Sequence, residues 1–401
     1  MAIILKEKTK SICHICFEEI DARVIERNNG VYLIKECPMH GRFDVLIEKD
    51  PSFYKELLNK ELREYRNPPG DLAIALTHLC NLDCNICYFP QREVDDIPLE
   101  DIKKMISRFS GRFIWLTGGE PTLRDDLNQI IEYAVGIGKD VVLLTNGIRL
   151  ADFNYVKQLK KSGLGWVHFS FNGFNDHVYE EISGLRLLEI KLKALRNLKK
   201  LNIETVISMM LVKGLNEREL KKVFSYCLRN NSFISELRLR GVTSIGKVAQ
   251  TQSIFLSDMV KITSAAIGIN KDKMIDNYLG GHWRCNSRAV TPYHLHIDFF
   301  SLLMEQMGIR SNGSPLYIKI ACIFKLLPKV GLKNLIKMIR KKLRKEQSLM
   351  RFCVCLRAWP DKFTMDLGEV RKSSSMHATR AGNEALSFCY ALILNEKNNI
   401  L

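Results

Sequence analysis

Between residues 70 and 250, short apolar runs alternate with longer amphipathic stretches. Residues 72–77, 113–117, 141–147 with a turn at its end, 166–173, 203–212 and 234–240 read as strands: each is short, rich in Val, Ile, Leu and Phe, and bounded by turn residues. Residues 99–109, 127–137, 153–161, 185–201 and 216–227 carry apolar positions at helical spacing. Strand and helix taking turns six times predict an α/β fold. Right-handed crossovers would curl a parallel sheet of this kind into a partial (β/α)6 TIM-like barrel. Sites in such sheets lie at the carboxyl ends of the strands. Here those ends are followed or formed by Cys80, Gly118, Thr145, Asn146, Ser170 and Asn172.

The flanks read differently. Residues 22–26 and 31–36 are strand-like and enclose Asn28-Asn29-Gly30, a hairpin signal. Residues 51–66 read as one charged helix that ends at Pro68-Pro69-Gly70. The pattern divides the chain into residues 1–66, 67–250 and 251–401. The last part is expected to be a helical, basic extension. Within it Leu332, Leu335, Ile336, Ile339 and Leu343 form one apolar stripe, so residues 315–346 predict a basic amphipathic helix.

Composition and charge sharpen this picture. With 401 residues, 46% of them hydrophobic and 26% charged, the chain is globular and has ample core. No apolar run reaches the ~18 residues of a spanning helix, and the N-terminal run is too short for a secretion signal. A cytoplasmic setting follows, in which twelve cysteines are metal ligands and reduced thiols rather than disulfides. The net charge of +16 points to an anionic partner. Residues 306–345 hold eleven Lys or Arg and no Asp or Glu. That stretch suits an anionic membrane surface or a solvated packing face; nucleic acid ranks third, since stacking aromatics are sparse.

Two cysteine groups carry candidate chemistry. Cys13-His-Ile-Cys16 and Cys37-Pro-Met-His40 are brought together by the hairpin between them. CxxC with CxxH is a tetrahedral zinc pattern with all four positions filled by protein, hence structural; iron is the alternative metal. Interleaved Glu18, Glu19, Asp21 and Glu36 favour a docking module over a nucleic-acid ribbon. His14, inside the first knuckle, reads as a bystander. The second group is Cys80-Asn-Leu-Asp-Cys84-Asn-Ile-Cys87, directly after the first strand. Three thiolates on so short a loop can meet at one point and cover three corners of a [4Fe–4S] cube, leaving the fourth iron open. A zinc knuckle or unrelated cysteines are the competing reading. About thirty residues on, strand two runs into Gly118-Gly119-Glu120-Pro121. The glycines let backbone approach a ligand, and Glu120 can meet an ammonium.

The cysteine loop and the Gly-Gly-Glu-Pro motif, one βα unit apart, resemble the radical S-adenosylmethionine (radical SAM) superfamily over residues 70–250. The resemblance implies that Cys80, Cys84 and Cys87 ligate a [4Fe–4S] cluster. It implies that Gly118, Gly119, Glu120 and Pro121 lie beside the methionine end of SAM. Thr145-Asn146-Gly147 is typical of the superfamily, and Ser170-Phe-Asn172-Gly173 matches residues that reach the SAM ribose; ordinary turn chemistry is the plain alternative for both. Gly214-Leu-Asn216 resembles a further element near the adenosine. Arg238 and Arg240 share a strand face, as an anion site or a surface ion pair. Cys285, Cys353, Cys355 and Cys389 hold an auxiliary Fe–S cluster or are packed thiols; Cys227 and Cys322 read as core.

The implied reaction starts with one electron, from a donor such as a ferredoxin or flavodoxin, reaching the SAM sulfonium through the cluster. The 5′-deoxyadenosyl radical so formed takes hydrogen from an unactivated C–H bond. The N-terminal knuckle joined to this core resembles the tetraether lipid synthase-like group. With the basic segment, that points to a membrane lipid and to peripheral placement on the inner face of the membrane. A soluble pterin, peptide or RNA is the second reading, and a non-catalytic metal-binding adaptor the third.

Overall fold

Asn28 and Asn29 both take left-handed backbone, φ 50° and 57°, which Asn tolerates better than most residues. They reverse the chain between β2 (Glu19–Arg27) and β3 (Gly30–Cys37). With β1 (Ile3–Ile12) and β4 (Gly41–Glu48) these form a four-stranded antiparallel sheet in the order β1-β2-β3-β4. Helix α1 (Pro51–Asn59) packs Tyr54 against the buried Val24, Val31 and Leu33 of this sheet. The computed structural model describes residues 2–59, 70–248, 254–276, 294–299, 352–371, 375–379 and 385–398. The remainder of the expected 51–66 helix, the 315–346 segment, Cys285 and Cys322 lie outside the described residues.

The six expected strands follow as β5 (Asp71–Thr77), β6 (Phe113–Gly118), β7 (Asp140–Thr145), β8 (Trp166–Ser170), β9 (Glu204–Leu211) and β10 (Ile234–Gly241). Helices α2 (Leu99–Arg108), α3 (Leu127–Gly136), α4 (Phe153–Lys161), α5 (Asp176–Ser183), α6 (Leu188–Lys200) and α7 (Leu220–Arg229) connect them. The stretch read as one helix at 185–201 is preceded by α5, which Gly184 ends at φ 71°. Further on come α8 (Leu256–Ile267), α9 (Lys271–Asp276), β11 (His294–Asp298), β12 (Cys353–Arg357), α10 (Leu367–Val370), β13 (Ser375–Ala378), β14 (Ala385–Ser387) and α11 (Phe388–Asn398).

All ten later strands join one sheet in the order β11-β12-β10-β9-β8-β7-β6-β5-β13-β14. The eight from β12 to β13 run parallel, and the two edge strands are antiparallel to their neighbours. One face is apolar: Ile74, Ile114, Leu143, Phe169, Ile207 and Leu237 are fully buried under the helices. The other face is concave. The Arg238 guanidinium of β10 lies 5.3 Å from the Trp115 ring of β6. Four flat strand spacings would separate those strands by about 19 Å, so the sheet curls strongly. Among the described residues its edges, β11 and β14, do not pair, and the curled sheet is open.

The ribbon sheet is tied to the C-terminal region by buried polar bonds. Lys6 Nζ bonds Asp366 at 2.9 Å and Glu369 at 2.8 Å, and Thr9 Oγ1 donates to Asp366 at 2.5 Å. Lys35 Nζ donates to the carbonyls of Ile12 and Lys362. Ser257 Oγ donates to the buried Glu48 at 2.5 Å. Removing a buried acceptor of this kind strands its donors. Asp366→Ala is expected to cost about 2–3 kcal/mol, read as a lower urea midpoint with an unchanged slope; an unchanged midpoint would mean that the ribbon is not held through α10.

Candidate functional site

The loop after β5 is fastened at the carboxyl edge of the sheet before any ligand is considered. Gly119 N donates to Thr77 O at 2.7 Å and Glu120 N to Leu79 O at 2.8 Å, which locks the end of β6 to the start of the cysteine loop. Only glycine fits here: a Cβ on Gly119 would lie 2.2 Å from Leu79 O. On the far side, Lys247 N donates to Cys87 O at 2.9 Å, and Asn85 N donates to Ile182 O at 2.8 Å. Cys80, Cys84 and Cys87 are half-buried on this loop. Arg92 Nη2 reaches Cys87 Sγ at 3.5 Å, and Asn146 Nδ2 lies 3.9 Å from Cys80 Sγ.

The three thiols are close enough to act on one another electrostatically. Burial first, then the charges of Cys87 and Cys80, push the Cys84 thiol up to about 11. Burial raises Cys80 as well. Three clustered thiolates in a poorly hydrated loop are costly unless a multivalent cation relieves them. This donor set fits a [4Fe–4S] cluster. Cys389, by contrast, is pushed up to about 12 by burial alone, with no cysteine acting on it. Burial likewise raises Cys355, which lies beside Arg357. Cys285 lies outside the described residues.

Glu120 is fully buried and takes four hydrogen bonds from its own chain. Thr122 N (3.1 Å), Thr122 Oγ1 (2.6 Å), Thr145 Oγ1 (2.7 Å) and Asn146 N (2.7 Å) converge on its carboxylate. The side chain read from sequence as an ammonium partner also acts as a strut between the ends of β6 and β7. Pro121 opens the short 3-10 turn that follows it. Thr145 is bound on both sides, since its hydroxyl also accepts from Gly147 N at 2.9 Å. Asn146 turns its amide toward the cysteine loop, donating to Asn81 at 2.8 Å. Asn172 Oδ1 accepts from Met210 N, and Asn216 bridges Asn172 O and Met210 O. Those two asparagines brace the ends of β8 and β9. Ser170 is half-buried at the end of β8.

One contributor was missed. Lys191 of α6 is buried, and its Nζ donates to Asn146 O at 2.7 Å and Ser170 O at 2.8 Å. Burial pulls its ammonium down to about 8, against the charges of Cys84, Glu120 and Cys80. The signal was available: Lys191 shares the helical face of Ala194, Leu195 and Leu198, an apolar stripe where a lysine has no ordinary place.

The N-terminal knuckle is assembled as the spacing predicts. Ligand atoms of Cys13, Cys16, Cys37 and His40 all lie within 4.8 Å of one another. Cys16 and Cys37 sulfurs are 3.9 Å apart, and His40 Nδ1 is 3.5 Å from Cys13 Sγ and 3.4 Å from Cys37 Sγ. A zinc tetrahedron needs edges of about 3.8 Å between sulfurs and about 3.6 Å from nitrogen to sulfur, so the donor set fits the ion. His14 packs instead between the rings of Phe43 and Phe363. Among the described residues this is the one group able to hold a single metal ion, and no helix is long and apolar enough to cross a membrane.

Comparison with known proteins agrees with this geometry. Residues 74–227 match the radical SAM superfamily, and residues 5–49 match the HMPTM N-terminal zinc ribbon domain. A 7,8-dihydro-6-hydroxymethylpterin dimethyltransferase of Methanocaldococcus jannaschii is 29% identical over 294 residues, 64% of this chain and 58% of that protein. A probable GTP 3′,8-cyclase of Thermococcus kodakarensis is 27% identical over 197 residues, 48% of this chain and 64% of that protein. The chain therefore spans under two thirds of the length of either relative. Among solved structures, Streptococcus suis SuiB bound to S-adenosylmethionine matches with a TM-score of 0.44 and 14% identity, over 66% of this chain and 69% of that one. The chain carries a radical SAM domain behind an N-terminal zinc ribbon.

Two substitutions check the site. Cys37→Ser is expected to remove about one zinc per chain by metal analysis and to lower the melting temperature; full zinc content in that variant would sink the knuckle. Glu120→Gln turns one acceptor into a donor facing donors, and is expected to cost about 2 kcal/mol by denaturant unfolding. A neutral result would mean that the carboxylate is not the strut described.

Proposed function

We propose that this chain is a radical SAM enzyme acting on a polar, soluble heterocycle of the pterin or nucleotide kind. Cys80, Cys84 and Cys87 would hold the [4Fe–4S] cluster. Gly118, Gly119, Glu120, Pro121, Thr145, Asn146, Ser170 and Asn172 would form the wall for SAM, with Glu120 and Asn172 also holding its backbone. When bound, the cluster and SAM supply reductive cleavage of SAM and removal of hydrogen from a C–H bond. The chain's own part is to fix the loop through Gly119, Glu120 and Lys191, and to keep water from the thiolates. A one-electron protein donor completes the system.

The observation that carries this reading is the convergence of Cys80, Asn146, Glu120 and Lys191 at the carboxyl edge of the sheet. The substrate class is supported by the concave face, where Arg238, Arg240, His168 and Glu236 replace the apolar lining that a lipid chain would need. The named relatives act on a pterin and on GTP. The lipid reading rested on the knuckle's resemblance to the tetraether lipid synthase-like group and on residues 315–346; the knuckle matches the HMPTM N-terminal zinc ribbon domain instead, and residues 315–346, with the membrane placement, lie outside the described residues. An adaptor without chemistry has no use for three clustered thiols beside a braced backbone.

The test is anaerobic reconstitution. The native chain is expected to take up about four iron and four sulfide at this site, and Cys84→Ala to lose them. With reductant and SAM, the native chain is expected to release 5′-deoxyadenosine, faster with a pterin or nucleotide than with a lipid extract. No release at all would favour the adaptor, and stimulation by lipid alone would restore the membrane reading.

A further inference from the structure

The concave face holds charges that the reading above leaves without a task. Arg238 and Arg240 are two residues apart on β10, so both side chains leave the same face. On the parallel neighbour β12, Cys355 stands beside Arg238 and Arg357 stands beside Arg240. Like charges directly abreast on adjacent strands are destabilising. The charges are unevenly matched as well. Arg238 is buried against Glu236 at 2.6 Å. Arg240 reaches only the neutral Ser208 hydroxyl, at 2.8 Å, and lies over the Trp359 ring at 5.0 Å; its Nε is buried without an acceptor. Arg357 turns its Nε toward Cys355 Sγ at 3.4 Å. Among the described residues neither Arg240 nor Arg357 has a carboxylate within ion-pair distance.

We propose that Arg240 and Arg357 are the two arms of a site for a phosphate group on the substrate. The proposal deepens the enzyme reading and rests on it only in calling the bound molecule a substrate. The charge count favours phosphate over carboxylate. One carboxylate would leave one of the two guanidiniums uncompensated, whereas a phosphate ester carries close to two negative charges at neutral pH. Each guanidinium can also fork onto two phosphate oxygens.

The surroundings suit such a guest. Ser208 adds a hydroxyl already oriented by Arg240. His168 sits on the same face; burial and then the charges of Arg238 and Arg240 hold its imidazole neutral, and its Nε2 is buried without a partner. It adds no positive charge to this face. The site lies close to the cysteine loop. Trp359, under Arg240, packs 5.4 Å from Tyr88, the residue after Cys87. A phosphate held here would anchor a molecule whose other end reaches toward the loop. The other anion that could come to this pair is the methionine carboxylate of SAM.

The experiment separates the two sources. Binding of inorganic pyrophosphate and of SAM is measured by calorimetry on the reconstituted chain and on the Arg240→Gln/Arg357→Gln double variant. Pyrophosphate affinity is expected to fall by about tenfold or more, while SAM affinity stays within about twofold because separate sites act independently. In phosphate-free, low-salt buffer, Arg357→Gln alone is expected to melt above the native chain, since it removes a like-charge contact; a merely structural arginine would melt lower when lost. Should the double variant fail to fold, Arg240→Lys/Arg357→Lys keeps the charge but loses the fork, and is expected to weaken pyrophosphate several-fold. Pyrophosphate binding that ignores all of these substitutions overturns the site. A large loss of SAM affinity without pyrophosphate binding reassigns the pair to the methionine carboxylate. Neither readout needs turnover, so absence of 5′-deoxyadenosine would count against the enzyme reading and leave the anion site standing.

Discussion

The geometry of the carboxyl edge depends on one buried carboxylate. Isolated, Glu120 would be expensive to bury, and burial does raise its pKa. Four donors from two strand ends offset that cost, and each is a charge-assisted bond, stronger than its neutral counterpart. The result is directional. Asn146 is gripped at its amide by Glu120 and at its carbonyl by Lys191, so its side chain has little choice but to face Cys80. Lys191 in turn grips Ser170 O, extending the same constraint to β8. One carboxylate and one ammonium, joined through two peptide groups, hold three strand ends in a fixed relation to the cysteine loop.

The glycines make that relation possible from the other side. The peptides at 118–119 approach Thr77 and Leu79 too closely for any side chain, which is why the motif after β6 reads Gly-Gly before its acidic residue. Gly246 plays the same part beside Cys87, where a Cβ would lie 2.2 Å from its carbonyl oxygen. The cysteine loop is thereby clamped between two close backbone approaches. Its backbone is held by main-chain bonds to β6, α5 and the segment at 246–247.

Strands β5 to β10 were legible because a parallel sheet covered on one side by helices writes itself as apolar runs at regular intervals. The motif residues were legible because they sit where those runs end. β13 was not: it is four residues long and pairs with β5 some three hundred residues earlier in the chain, so no local pattern announces it. β12 was not legible either: Cys353 and Cys355 drew a reading as ligands or packed thiols, and nothing local announces their pairing with β10. The roles of single side chains were less legible than their positions. Sequence marks Glu120 as important, yet only the fold shows that its carboxylate faces inward. Arg240 looked as suited to an ion pair as to an anion, and that no carboxylate among the described residues pairs with it is a fact of packing across strands.

The zinc ribbon gains a physical role from where it is attached. Its sheet grips residues 361–369: Lys35 holds the Lys362 carbonyl, His14 packs on Phe363, and Lys6 and Thr9 hold Asp366. That stretch directly follows Arg357 and Trp359, which line the concave face. In the main sheet β12 is held by β10 on one side and by β11 on the other. A strand at that position, with a like-charged contact to its neighbour, needs support from outside the sheet. The four knuckle ligands stiffen the turns at 13–16 and 37–40, and Lys35 lies between them in the chain, bonded to Ile12 O just before Cys13. The metal site, the Lys35 bridge and the Trp359 segment therefore form one continuous brace, through which the ribbon supports the wall of the concave face beside the cysteine loop.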